Sequence, residues 1–324
     1  MGLTVNAKVN IRPEYYRLAR AMCHSLFERG EYYLPTAITS QPSTNGAPPT
    51  PEAISGLGPI EGILSHIHHV KNTIDGRDEL EKKKHATATA ARKLYARLLF
   101  YRYFIVLKRP LIVCEGRTDN IYLKYAIRKL TAFQPKLGAS NGTVFNNAVS
   151  FFSYINQAHN LLELGGGTGD LKFFLLRYAR TVESFKHRPL KYPAIVVIDN
   201  DKGANEIVGV VRENFKISID VKSSQQFYHL SHNLYLVKTP EGTGPSRMSC
   251  IEDFFDPSLR ATVLDGKKFN PAKLHAADGE YGKTVFAEKV VRPNADKIDF
   301  TNFAPLLERI VAVIDHYNKT PPHT

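Results

Sequence analysis

Apolar residues in the stretch 12–29 (RPEYYRLARAMCHSLFER) recur every three or four positions. Tyr16, Ala19, Met22, Cys23, Leu26 and Phe27 share one face of a helix that has Pro13 in its first turn and Gly30 as its stop. The stretch 35–59 is rich in Pro, Gly, Ser and Thr and predicts a flexible loop. Helical spacing returns from Glu79 to about Leu107, with basic residues through its length and aromatic ones towards its end. From Pro110 the pattern changes to short apolar runs alternating with helical stretches. Strands are expected at LIVCEG (111–116), LLEL (161–164), PAIVVIDND (193–201) and LYLVKT (234–239), and helices at 121–130, 171–180 and 303–317. The run 193–201 is apolar throughout its first half, as a strand buried on both faces of a parallel sheet would be. Repeated strand–helix alternation predicts an α/β fold with a mostly parallel, Rossmann-like sheet flanked by helices, preceded by a mainly α-helical region. The expected division is 1–109 and 110–324.

Charge narrows the class of partner. The 324 residues carry a formal net charge of +12, and residues 1–110 hold 16 Lys and Arg against 9 Asp and Glu. Clustered cations gain affinity for phosphates by releasing counterions, so nucleic acid is the expected partner. No run approaches the roughly 20 apolar residues a membrane span needs, and no membrane partner is expected. Cys23, Cys114 and Cys250 are far apart in sequence and form no Cys-x-x-Cys pair, which argues against a zinc ribbon or disulfide framework and for a reducing, cytoplasmic compartment.

The chemistry concentrates after the strands. Glu115 ends the first apolar run, and Asp199 and Asp201 end the third, where a parallel sheet presents residues at its functional edge. Residues i and i+2 of an extended segment point the same way, so Asp199 and Asp201 can converge while Asn200 turns aside. Hard carboxylate donors without thiolate or imidazole suit Mg²⁺ or Mn²⁺. An EF-hand reading of DNDKG fails because the twelfth loop position is Val210, not Glu. LLELGGGTGD (161–170) looks like the glycine-rich motif of S-adenosylmethionine methyltransferases. A complete strand–helix unit precedes it, however, so Gly165, Gly166 and Gly167 are read as a tight turn or a backbone nest for phosphate.

EGRTD (115–119) followed by DNDKG (199–203) resembles the TOPRIM fold of topoisomerases, bacterial primases and OLD nucleases. That resemblance implies a catalytic, metal-binding role for Glu115, Asp199 and Asp201. SCIEDFF (249–255) resembles the later acidic motif of the OLD branch, which implies Glu252 and Asp253 as further metal ligands. GKTVFAEKVV (282–291) resembles its lysine motif and nominates Lys283 as catalytic. The separation between Glu115 and the aspartate pair exceeds the family's pattern, which implies an insertion near 131–160. Residues 2–33 and 58–70 resemble the thumb of retron reverse transcriptases, and the whole chain is similar to the carboxyl-terminal half of a retron reverse transcriptase–TOPRIM fusion. This implies nucleic-acid contacts by Arg12, Tyr15, Tyr16, Arg17, Arg20 and His24. No Tyr-x-Asp-Asp occurs, so the polymerase palm is missing and is expected on another chain or another part of a longer one.

These readings converge on a Mg²⁺- or Mn²⁺-dependent nuclease acting on RNA or DNA. The resemblance implies a toxic effector in a bacterial anti-phage retron system, regulated by retron RNA–DNA, with the polymerase half as a partner and homo-oligomers left open. The rivals are a non-catalytic RNA–DNA-binding scaffold, a topoisomerase or primase, and a methyltransferase.

Overall fold

The computed structural model describes residues 3–5, 9–34, 53–75, 88–154, 157–165, 167–272 and 279–320. The chain forms two compact units, the first comprising Met1–Val106, Ile155–Leu164 and Arg180–Pro189, and the second Leu107–Tyr154, Gly165–Ala179 and Leu190–Thr324.

In the first unit, α1 (Pro13–Arg29) follows the apolar stripe: Ala19, Met22, Cys23, Leu26 and Phe27 are buried. Gly30 ends the helix in the left-handed region at φ 85°, its N–H donating to Leu26 O at 2.8 Å. α2 (Gly58–Ile74) buries Ile60, Leu64 and Ile67, and α3 (Ala90–Phe100) starts at Thr89, whose hydroxyl accepts the Arg92 N–H. The chain then passes through a wider helical turn, Tyr101–Ile105. Phe185, from the later segment, packs on Phe27 at 5.0 Å and on Tyr101 at 5.4 Å between ring centroids. This aromatic packing is why Arg180–Pro189 belongs to the first unit, which an uninterrupted boundary at 109/110 does not capture. Ala53–Ile54, inside the expected loop 35–59, pairs antiparallel with Tyr32–Tyr33; residues 35–52 and 76–87 lie outside the described residues.

Gly30→Ala is expected to lower stability by about 1–2 kcal/mol from the left-handed backbone alone. The cost should be higher still because a Cβ there would stand 2.6 Å from the His187 ring. Denaturant unfolding checks this, and an unchanged midpoint would contradict it.

The second unit is built on a five-stranded sheet. Its strands are β1 (Leu111–Cys114), β2 (Ser150–Phe151), β3 (Ala194–Ile198), β4 (Tyr228–Ser231) and β5 (Leu234–Lys238), in spatial order β4-β5-β3-β1-β2. All neighbours run parallel except β4, a short antiparallel edge on β5. Every residue of β1, β3 and β5 is buried, which explains the apolar runs of β1 and β3 and of β5 up to Lys238. Ile112, Ile195 and Val237 share a core with α4 (Asp119–Lys129), through Tyr122, Leu123 and Ile127, and with the carboxyl-terminal helix Ala304–Lys319, through Leu307, Ile310 and Val313. The fold is therefore mixed α/β with a mostly parallel sheet.

One expectation is corrected. LLEL (161–164) is not a strand: Gln157–Leu161 is helical and Glu163 turns through φ 55°. Its leucines are buried through a helical turn, and short apolar runs do not separate that case from a strand. The insertion near 131–160 holds a hairpin, Gly138–Asn141 with Val144–Asn147, and the edge strand β2.

Candidate active site

Parallel pairing of β1 with β3, Cys114 opposite Val197, carries both strands to the same edge. The Glu115 N–H donates to Val197 O at 3.0 Å, extending the ladder by one residue, so Glu115 and Asp199 leave the sheet side by side. The Asp199 N–H lies 3.5 Å from Glu115 Oε2. A third segment joins them: the Ile251 N–H donates to Asp199 Oδ1 at 2.9 Å, and the next residue, Glu252, is wholly buried. Lys283 Nζ stands 3.0 Å from Glu252 Oε2 and 3.6 Å from Asp199 Oδ2. Asp119, buried in the first turn of α4, accepts the Gly116 N–H at 2.9 Å and the Thr118 hydroxyl at 3.3 Å. Glu115, Asp119, Asp199 and Lys283 line a cleft of about 430 Å³, with Arg117, Tyr154, Gly165 and Gly167 among its other walls.

So many acids in one place raise one another's proton affinity. Burial, then the Glu252 charge, lifts Asp119 to about 7. Burial and the Asp119 charge push Asp199 well above the carboxylate range, and burial raises Glu115. For Lys283, burial opposes the charged form, but Glu252 and Asp199 outweigh it and the ammonium is held more firmly than usual. Neither Glu252 oxygen has a hydrogen-bond donor; the Lys283 contact is an ion pair off hydrogen-bonding angles. Buried polar groups are nearly always satisfied, and among the described residues the Lys283 ammonium is the one cation beside this wholly buried carboxylate, which leaves lone pairs on Glu252 that a further cation could take up.

Among the described residues, no three His, Cys, Asp or Glu side chains are gathered closely enough to enclose a metal ion by themselves. The Lys283 ammonium stands where the acids converge. The chemistry of the donors is nonetheless of the kind that suits Mg²⁺ or Mn²⁺: they are all carboxylate oxygens, Asp119, Asp199 and Glu252 are buried and Glu115 half-buried, and Glu252 has only the Lys283 ammonium beside it. Glu115, Asp119, Asp199 and Glu252 are the residues that would hold such an ion.

The other expected residues sort differently. Asp201 Oδ1 accepts the Ala204 N–H at 3.2 Å, just before the helix Asn205–Phe215. Asn200 turns away from Asp199, as the alternation predicts, and is buried. Asp253 is a correction. Its Oδ2 accepts the Cys250 N–H at 2.9 Å and its Oδ1 pairs with Arg260 at 2.8 Å, so the carboxylate is spent on capping the short helical turn Ile251–Phe254 and on that ion pair. In the expected phosphate nest, two of the three glycine N–H groups are already engaged. The Gly165 N–H donates to Asp170 Oδ2 at 2.8 Å and the Gly167 N–H to Glu115 O at 3.3 Å, leaving neither for an anion; Gly166 lies outside the described residues. A methyltransferase motif also loses its strand, since 161–164 is not one.

Asp119 and Tyr154 were missed. Asp119 closes the EGRTD motif four residues after Glu115, a signal that was legible. Tyr154 follows the hairpin; its hydroxyl donates to Cys114 O and its ring lies edge-on to Phe152 at 5.4 Å. Nothing in its sequence neighbourhood marks it.

In the first unit Arg12, Arg17, Arg20 and His24 are exposed, while Tyr15 and Tyr16 are half-buried. Tyr15 meets His66 edge-on at 6.4 Å. Arg17, Arg20 and His24 line a groove of about 390 Å³ with Arg97, whose guanidinium lies 4.8 Å from the Phe27 ring centre. The Arg17–Glu14 pair at 3.1 Å is solvent-exposed and contributes little, so it leaves Arg17 easily redirected.

No protein-family model matches this chain, and no solved structure matches it. What fold and site together define is a mixed α/β protein with an acidic cleft at the carboxyl edge of a mostly parallel sheet. No described helix is long and apolar enough to cross a membrane.

Proposed function

We propose that the chain is a Mg²⁺- or Mn²⁺-dependent nuclease with a TOPRIM-type catalytic unit. The observation that carries this reading is the convergence of Glu115, Asp119 and Asp199 on one cleft at the carboxyl edge of the sheet, with the buried Glu252 reaching the same point through Lys283. Structural carboxylates are ordinarily paired or solvated; here three line one cleft and a fourth, Glu252, shares the single Lys283 ammonium with Asp199. When bound, the cation would polarise a phosphate oxygen and make a bound water more acidic than bulk water. The chain's residues do the rest. The Gly116 N–H and the Thr118 hydroxyl fix the Asp119 carboxylate, and the Ile251 N–H fixes that of Asp199. Lys283, released from Glu252, would stabilise negative charge accumulating on the phosphate. Arg117, exposed at the rim, would hold a neighbouring phosphate.

The similarity of residues 2–33 and 58–70 to a retron thumb supports a narrower reading. In it the chain is a toxic effector of an anti-phage retron in the bacterial cytoplasm, controlled by the system's RNA–DNA and working with a polymerase half. The test is incubation with end-labelled RNA and DNA in Mg²⁺ or in EDTA. Cleavage confined to Mg²⁺ supports the nuclease; binding without cleavage of any substrate supports a non-catalytic RNA–DNA scaffold.

The basic groove of the first unit favours nucleic-acid binding under either reading. Arg17→Ala with Arg20→Ala is expected to weaken binding and to flatten its log–log salt dependence by about one unit for each phosphate that no longer has a cation beside it. Filter binding across a salt titration measures it, and an unchanged slope would limit α1 to packing.

A further inference from the structure

The acids of the cleft come from separate segments, so their spacing depends on whatever fastens those segments together. Asn200 and Ser249 form an antiparallel bridge between the end of β3 and the segment carrying Glu252: the Asn200 N–H donates to Ser249 O at 2.9 Å and the Ser249 N–H to Asn200 O at 3.0 Å. The fully buried Thr239 hydroxyl sits across this bridge. Its oxygen accepts the Asn200 N–H at 2.8 Å and lies 3.0 Å from Ser249 O, to which it donates.

The Asn200 side chain, between Asp199 and Asp201, is fixed as well. Its amide donates to Val221 O at 3.0 Å and Arg247 O at 2.9 Å, and its oxygen accepts from Lys238 Nζ at 3.3 Å. Lys238 is in turn held by Glu241 at 2.7 Å, and Glu241 by Arg309 at 2.9 Å, Lys238 and Arg309 being buried and Glu241 nearly so. This ionic network touches none of the acids lining the cleft. Its bonds end on the residue that separates Asp199 from Asp201, and on the bridge that sets Asp199 against Glu252.

We propose that Thr239 and Asn200 are positioning residues that hold Asp199 and Glu252 at the spacing a divalent cation needs, and so set the ion affinity of the cleft. The inference rests on the metal-site reading above. Outer groups that orient metal ligands typically change affinity by roughly 10–100-fold when removed. Thr239→Val keeps the shape and deletes every hydroxyl bond, to the Asn200 N–H, Ser249 O and Ser249 Oγ, whereas Thr239→Ser keeps the hydroxyl.

The experiment is Mn²⁺ titration of the full chain followed by electron paramagnetic resonance, with melting temperatures in EDTA measured alongside. Wild type and Thr239→Ser are expected to bind Mn²⁺ within about twofold of each other, and Thr239→Val roughly tenfold more weakly. Equal Mn²⁺ affinity in Thr239→Val, whatever its melting temperature, overturns the positioning role while leaving the metal site standing; so does equal weakening in the Ser and Val variants. A wild type that binds no Mn²⁺ overturns the metal reading itself. Should Thr239→Val not fold, Ser249→Ala replaces it. That change removes the Ser249 hydroxyl, bonded to Thr239 Oγ1 at 2.9 Å and to Pro240 O, but leaves the backbone bridge and the Thr239 bonds to the Asn200 N–H and Ser249 O. A weakening of Mn²⁺ binding in the same direction but smaller is therefore expected, and unchanged affinity overturns the positioning role.

Discussion

Asp199→Asn is expected to reduce cleavage by roughly 10²–10⁴-fold, the equivalent of several kcal/mol of metal-derived stabilisation, without unfolding the protein. Asparagine matches aspartate in size and keeps an oxygen to accept the Ile251 N–H, so the fastening of the Glu252 segment survives. What disappears is a charge that burial and the neighbouring Asp119 already oppose, since both push the Asp199 carboxyl well above its ordinary range. The melting temperature in EDTA should therefore stay level or rise. In Mg²⁺ the wild type should gain stability by linkage, and the variant should gain less. Asp201→Asn is a sharper control. Its side chain caps an N–H at Ala204, and asparagine caps as well as aspartate, so any loss of cleavage reports charge alone. Cleavage by Asp199→Asn at the wild-type rate would remove that residue from the site.

Lys283→Met should be the most destabilising change in the cleft, at about 3–5 kcal/mol, because it leaves the buried Glu252 carboxylate without its only counter-charge. The pH dependence follows from the direction of the shifts. Asp119 titrates near 7 in the folded chain, against an ordinary value below 4, so between those limits the folded state holds more protons than the unfolded one. Stability without metal should consequently fall as pH rises through that window and level off above it. Asp199 and Glu115, also raised, add to the slope in the same direction. Lys283 stays charged throughout this range and limits the loss, so the fall should be steeper in Lys283→Met. Urea unfolding at pH 5 and pH 8 in EDTA measures both effects. A variant as stable as wild type at pH 8 would show that Glu252 finds compensation elsewhere.

Much of the scaffold was written in local pattern. The strands β1 and β3, and β5 up to Lys238, are continuous apolar runs because every residue in them is buried, and α1 shows its buried stripe and its glycine stop directly. The positions of Glu115 and Asp199 follow from the same logic, since each ends such a strand. Three features were not legible. The run 161–164 is apolar whether helical or extended, and only its surroundings decide. Glu252 and Asp253 are adjacent acids in one short helical turn, and which of them faces the cleft depends on Arg260 and on the Cys250 N–H. Phe185 joins a core some 80 residues back along the chain, so the unit boundary is a matter of tertiary packing rather than of composition. Asp119 is the exception, because its place at the end of EGRTD was visible and its role follows from the first turn of α4 folding the carboxylate back over Gly116.

The most direct test is anomalous diffraction from crystals of the full chain soaked in Mn²⁺. A peak bounded by Glu115, Asp119, Asp199 and Glu252, with the Lys283 ammonium displaced from Glu252, is the predicted result. Saturating Mn²⁺ with no peak at these carboxylates and the Lys283–Glu252 pair intact would contradict it.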